Sequence, residues 1–291
     1  MAAQNRRIGD QPWVRRSLIG LALAITLIML VIPVVVIFTQ ALSTGWSAFA
    51  GNVLDEYTLD AIGLTLFVAA LTVPLNLVFG TALAWSVTRF RFPGRKLLIT
   101  LIDIPFAVSP VVAGLLYLLL YGRNGWLGSW LSNYDVQLMF SWPGIVMVTV
   151  FVTCPFVARE LIPLMQQQGS EEEEAGVVLG ASGWRIFRKI TLPNIKWALI
   201  YGVVLTNARA VGEFGAVSVV SGNVRGETNT LPLHVELLYQ DYNIVGAFAS
   251  ASLLAGIAIL TLIAKAFVEW RQSRAEHATP EEGGARHEYH H

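Results

Sequence analysis

The chain has 291 residues, 54% of them apolar and only 14% charged, with 20 basic residues balanced by 20 acidic ones. Soluble domains carry roughly 25% charged residues, so this composition argues against a soluble globular protein. Zero net charge gives no general attraction to nucleic acid, and the single cysteine, Cys154, excludes an intrachain disulfide and any Cys-based metal spacing.

The apolar residues fall into six blocks: 18–41, 61–87, 97–121, 142–165, 195–220 and 245–270. Each is long enough to supply the ~20 apolar residues that cross a bilayer core. The expected fold is therefore all-α and integral to the membrane, with a six-helix transmembrane domain over 18–270. Arg6, Arg7, Arg15 and Arg16 precede the first block as in a secretory signal, but the block is too long for such a segment and reads as a retained helix. Pro33, Pro74, Pro105, Pro110, Pro155 and Pro163 interrupt the blocks, and neighbouring helices are expected to re-satisfy the backbone groups they free. Cys154, beside Pro155, reads as a small buried hydrophobe. Gly246, Ala247, Ala249, Ser250, Ala251 and Ser252 would allow close helix approach in the last block.

Basic residues set the orientation. They are dense before the first block, absent from the first loop and dense in the second (Arg89, Arg91, Arg95, Lys96). The third loop has Arg123 alone, the fourth has Arg185, Arg188, Lys189 and Lys196, the fifth has Arg225 alone, and Arg271, Arg274 and Arg286 follow the last block. This alternation gives six spans with both termini in the cytoplasm: residues 1–17 at one end and a polar tail, 271–291, expected to be disordered, at the other. The tail's His287, Glu288, His290 and His291 read as solvated rather than metal-binding.

The fourth loop, 170–193, is the most informative stretch. Ser170 and Glu173 fit a capping box, with Glu171 and Glu172 in the first turn. Gly180 suits a helix stop, and Ser182 a second cap. In the second short helix Trp184, Phe187 and Ile190 recur every three residues as an exposed apolar edge, with Arg185, Arg188 and Lys189 between them. Pro193 is expected to mark a change of direction into the fifth span. Such a cytoplasmic helix–turn–helix reads as a docking surface.

Glu174, Ala175, Gly176, Gly180, Ile190, Leu192 and Pro193 match, in register, a pattern of Glu-Ala-Ala, three residues, Gly, nine residues, Ile, one residue, Leu-Pro. Only Gly176 departs, standing in place of the second alanine. The stretch resembles the cytoplasmic coupling motif of ABC-importer permeases, which implies the type I importer permease fold and docking of an ATP-hydrolysing subunit on 170–193. Residues 103–110 and 207–216 are similar to oxyanion permeases. Residues 217–228, 140–144 and 153–156 look most like the second permease subunit of bacterial sulfate/thiosulfate importers. The resemblance implies a heterodimer with a sister permease, two copies of an ABC ATPase, a periplasmic sulfate/thiosulfate-binding protein and an inner-membrane location. The four lysines follow Arg95, Arg188, Ile195 and Ala264, so no Gly-Lys phosphate-binding loop exists. ATP is thus expected on the partner, with no cofactor or metal on this chain.

A charge inside a span is a functional candidate. Arg209 lies roughly 20 Å into the fifth block at 1.5 Å per residue. It offers a transient site to a dianion, or it pairs with Glu213, one helical turn on. Asp103, Arg159 and Glu160 near the inner ends of spans three and four are equally open to pairing. Because a transported ion must leave, weak neutral donors, Ser109, Asn207 and Ser218, are the other pathway candidates. A molybdate or tungstate permease and a secondary anion transporter are the alternatives. An intramembrane enzyme is disfavoured, since neither His-Glu-x-x-His nor Gly-x-Ser-x-Gly occurs in the spans.

Overall fold

A computed structural model describes residues 12–277. Arg6, Arg7 and the tail residues 278–291, including His287, Glu288, His290 and His291, lie outside the described residues. Among those described there is no strand.

Helix α1 (Pro12–Ala41) begins earlier than the apolar block, so Arg15 and Arg16 are helical rather than part of a leading segment. It is followed by a short helix α2 (Trp46–Val53) and the long α3 (Glu56–Arg89), capped at Asp55, whose carboxylate accepts the Tyr57 N–H. The third block is two helices, α4 (Arg95–Ala107) and α5 (Pro110–Tyr121), bent by 107°. The expected straight span fails here because Val108 and Ser109 are extended (ψ 133° and 136°), as a residue preceding proline favours. Then come α6 (Gly128–Ser132), α7 (Trp142–Gln168) and the loop helix α8 (Glu171–Val178). The remainder is α9 (residues 183–211), α10 (Val217–Val220), α11 (Leu231–Gln240) and α12 (Ile244–His277). The last helix therefore continues through residues 271–277, where a disordered tail was expected. Cys154 is half-buried rather than buried, at the Pro155 kink of α7.

Helices α1, α3, α7 and 244–268 of α12 are long and apolar enough to cross a membrane, and the bent α4–α5 pair passes the same test together. The remaining predicted span is the more polar α9. It differs from expectation at both ends. Its backbone stays helical from Gly183 through Pro193, so proline marks no change of direction. A π turn, Phe187–Thr191, absorbs the proline, with Leu192 N–H bonded back five residues to Phe187. The same device, Leu27–Val31, precedes Pro33 in α1. At its other end α9 stops at Gly212, short of residue 220, and the chain turns before α10.

Packing centres on α3, α7 and α9. Toward the 170–193 loop, Ala84, Val157, Leu161, Met165 and Ile195 form one buried cluster. Gly80 permits this: a Cβ there would stand 2.6 Å from Val157 Cβ. Asn76 donates to Thr153 Oγ1 across the same α3–α7 seam (2.6 Å), and Thr153 in turn donates to the Thr149 carbonyl. A second core joins α5, α7 and α10 through Ala113, Ile145, Val148, Ala216 and Val217.

Candidate coupling surface and translocation segment

Four consecutive glutamates open α8, and the structure gives them different tasks. Glu171 is exposed, Glu172 accepts from Asn194 Nδ2 (2.5 Å), and Glu174 accepts the Ser170 hydroxyl (2.5 Å). Glu173 does not close the expected capping box. It turns inward, 2.5 Å from Arg89 Nε at the end of α3, and accepts from Thr191 Oγ1 of α9 (2.6 Å). The fixed cation of Arg89 outcompetes the backbone N–H that a capping box would offer. Ser170 accordingly makes no side-chain cap bond to the backbone.

The helix stop at Gly180 is as expected. Gly180 N–H bonds to the Val177 carbonyl and Ala181 N–H to the Gly176 carbonyl, a Schellman closure, with Gly180 at φ +76°. Gly176 is buried, and a Cβ there would meet Ile190 Cδ1 at 3.0 Å and Ile186 Cγ1 at 3.3 Å. The substitution of glycine for alanine thus serves close packing of α8 on α9. Ala175, Leu192 and Pro193 are exposed and Ile190 is half-buried.

The exposed apolar edge is not the one read from the sequence. Phe187 stacks against Trp184 and also contacts Trp85 of α3, while Ile190 faces Gly176. What faces outward is Val177, Val178 and Leu179 together with Trp184; Val178 and Leu179 are each 86% exposed. These three residues were missed, although an apolar triplet just before a helix-stopping glycine, in an otherwise polar loop, was a usable signal. The loop therefore presents an apolar tip with Arg185, Arg188 and Lys189 beside it, which suits insertion into a cleft on another protein.

Further along, two helix breaks meet. A Cβ on Gly215 would come within 3.1 Å of Pro110 Cβ, and one on Gly114 would stand 2.7 Å from the Ala216 carbonyl. The extended turn at Val108–Ser109 thus abuts the irregular stretch 212–216. Non-helical backbone at membrane depth is tolerated only within protein or along a water-filled cavity. Ser109 is exposed at the start of α5 and its hydroxyl makes no cap bond. Ser218 is half-buried and donates to the Gly215 carbonyl (2.9 Å). Asn207 is half-buried on α9.

Arg209 lies in the last turn of α9, 2.5 Å from Glu213 Oε2, where a cation complements the helix dipole. Glu213 is buried, and its Oε1 accepts the Ala216 N–H (2.9 Å). The pairing alternative is thus realised, and Glu213 holds the turn closed. Arg209 remains one-third exposed. Asp103 pairs with Arg159 (2.8 Å), whose guanidinium also covers the Phe106 ring. Among the described residues no group of three His, Cys, Asp or Glu side chains gathers as a metal site.

These features, an all-helical bundle of long apolar helices with a short helical loop between α7 and α9, fit a permease-type membrane subunit. The family of binding-protein-dependent transport system inner membrane components matches residues 76–277, and the chain belongs to it. It is 58% identical to the sulfate transport system permease protein CysW of Escherichia coli K12, over 96% of this chain and 97% of that one. It is 35% identical to the permease protein CysT of the same organism, over 84% and 88% of the two chains. Among solved structures, a bacterial ABC transporter for alginate import aligns at a TM-score of 0.73 with 17% identity, covering 92% of this chain and 96% of that one. That likeness establishes the fold, the type I importer permease architecture.

Proposed function

We propose that this chain is a transmembrane permease subunit of an ATP-driven importer for sulfate and thiosulfate. The observation that carries the reading is identity of 58% to a sulfate transport permease across almost the whole of both chains. Similarity to the CysT permease of the same organism is much lower, which supports a heterodimer in which this chain takes one place and a CysT-like sister the other. Two ABC ATPase subunits dock on the 170–193 loops of the two permeases and carry the ATP. The apolar tip Val177–Leu179 with Trp184 is this chain's part of that contact. A periplasmic binding protein delivers the anion; the alginate transporter was itself crystallised with such a periplasmic protein. The chain lies in the inner membrane with both termini cytoplasmic.

Transport follows an alternating-access cycle. ATP binding closes the ATPase pair, which moves each docked loop; the helices rock and the path opens toward the periplasm. Hydrolysis returns the path to the inward side. The pathway runs by the paired helix breaks, where Ser109, Asn207 and Ser218 offer weak neutral donors and Arg209 a partly neutralised cation. Strong binding is left to the binding protein.

The test is radiolabelled sulfate uptake in cells lacking only this chain and then complemented with it, with thiosulfate or molybdate as competitor. Restored uptake that thiosulfate suppresses and molybdate leaves intact is the expected result. Insertion without sulfate uptake, in the presence of the partners, would move the substrate to another oxyanion.

A further inference from the structure

Glu173 and Arg89 lie outside the motif that marks the loop, yet they form its most shielded polar contact. Their side chains are 13% and 11% exposed. Each holds a second partner: Glu173 accepts from Thr191 of α9, and Arg89 donates to the Met165 carbonyl of α7 (2.9 Å). Arg89 itself terminates α3. One ion pair therefore gathers α8 and the cytoplasmic parts of α3, α7 and α9. It borders a polar cavity of about 250 Å³ lined by Gln168, Glu172 and Asn194 among others.

We propose that Arg89 and Glu173 are the positioning residues through which displacement of the docked α8 is carried into these three membrane helices together. This rests on the docking role of the loop stated above. The other attachments of α8 are unsuited to the task. The Glu172–Asn194 and Ser170–Glu174 bonds are exposed, and such contacts are readily exchanged for water. The apolar contact of Gly176 with Ile186 and Ile190 is non-directional and lets one helix slide over the other. The ion pair is directional on both sides. Separating it leaves a shielded charge without its partner, so the helices follow the loop rather than part from it. The π turn containing Thr191 places that hydroxyl where α9 has an irregular turn, a common location for functional give in a helix.

The experiment uses the full complex (both permeases, the ATPase and the binding protein) in proteoliposomes, and reads sulfate transported per ATP hydrolysed. Glu173→Gln is expected to keep the ATPase subunits bound and hydrolysing while transport per ATP falls about tenfold, the size of an ordinary inter-site coupling. Thr191→Val, which removes only the hydroxyl and leaves the ion pair, is expected to lower the ratio about threefold, as for one hydrogen bond. If Glu173→Gln does not fold, Thr191→Val decides alone. An unchanged ratio in either folded variant overturns the proposal, and so does loss of the ATPase from the Glu173→Gln complex, which would make Glu173 a docking residue. Failure of the functional reading itself looks different: the unsubstituted complex would carry no sulfate.

Discussion

Gly180 separates backbone strain from fit to a partner. At φ +76° any L side chain is strained, yet a Cβ there meets nothing within 4 Å in this chain. Gly180→Ala should therefore cost roughly 1–2 kcal/mol locally, the penalty of the left-handed conformation, with insertion and yield retained. Gly180→Trp adds the same strain and a side chain projecting beside the Val177–Leu179 tip. It should abolish sulfate uptake while the protein still reaches the membrane. Uptake by the tryptophan variant equal to that of the alanine variant would show that no partner surface closes over this position. Replacing Val178 and Leu179 together by Ser tests the same contact from its apolar side. Co-purification of the ATPase should be lost, because both side chains are almost fully exposed and their removal disturbs nothing internal.

At the scale of elements, α3 and α7 meet through Gly80, and this contact sets a packing limit. Gly80→Val would force Val157 and the Ala158 backbone away, since even a Cβ stands 2.6 Å from Val157 Cβ and 3.2 Å from Ala158 N. Overpacking of this kind typically costs about 1–3 kcal/mol, so the thermal midpoint of the purified protein should drop by several degrees. Adding Val157→Ala should recover part of the loss; a double variant no more stable than Gly80→Val would place the clash elsewhere. The extent to which sequence revealed these elements follows from what each signal measures. Hydropathy located the long apolar helices because the bilayer demands long apolar runs, and Gly180 located the end of α8 because its positive φ acts on its own backbone, whereas Ser170 and Glu173 marked the start of α8 without making the cap bonds they suggested. The break at Ser109 was hidden because apolarity continues through it, whereas at Gly212 the flanking Arg209 and Glu213 interrupt the apolar run but hydropathy carries no information on backbone direction. The proline after Ser109 was a local hint, but at Pro193 the same residue is absorbed by a π turn. The inward turn of Glu173 was illegible for a different reason. Its partner Arg89 comes from another helix, so four adjacent glutamates look alike until the chain is folded.

For the molecule as a whole, the two ends are fastened by different chemistry. The end that carries the 170–193 loop is tied by an ion pair, Arg89 with Glu173. The opposite end is tied by His234, buried on α11, which joins Thr58 at the start of α3 (Nε2 to Oγ1, 3.0 Å) to Asn229 of the preceding loop (Nδ1 to Nδ2, 3.3 Å). With the Asn229 amide facing Nδ1, that nitrogen accepts and Nε2–H donates to Thr58, an arrangement that requires a neutral ring. Burial pushes the His234 pKa below its ordinary value, nearby Arg225 pushes it the same way, and Asp55 pulls weakly back. The unfolded chain therefore takes up a proton at this residue near about pH 6.5, before the folded chain does. The stability His234 contributes is present above that value and is lost as pH falls toward the folded value, because the unfolded state then binds more protons. The thermal midpoint of the purified protein should consequently change little from about pH 8 to about pH 7 and decline below about pH 6.5. His234→Gln, which cannot titrate, should start from a lower midpoint and decline less steeply over the same interval; parallel profiles would remove His234 as the source.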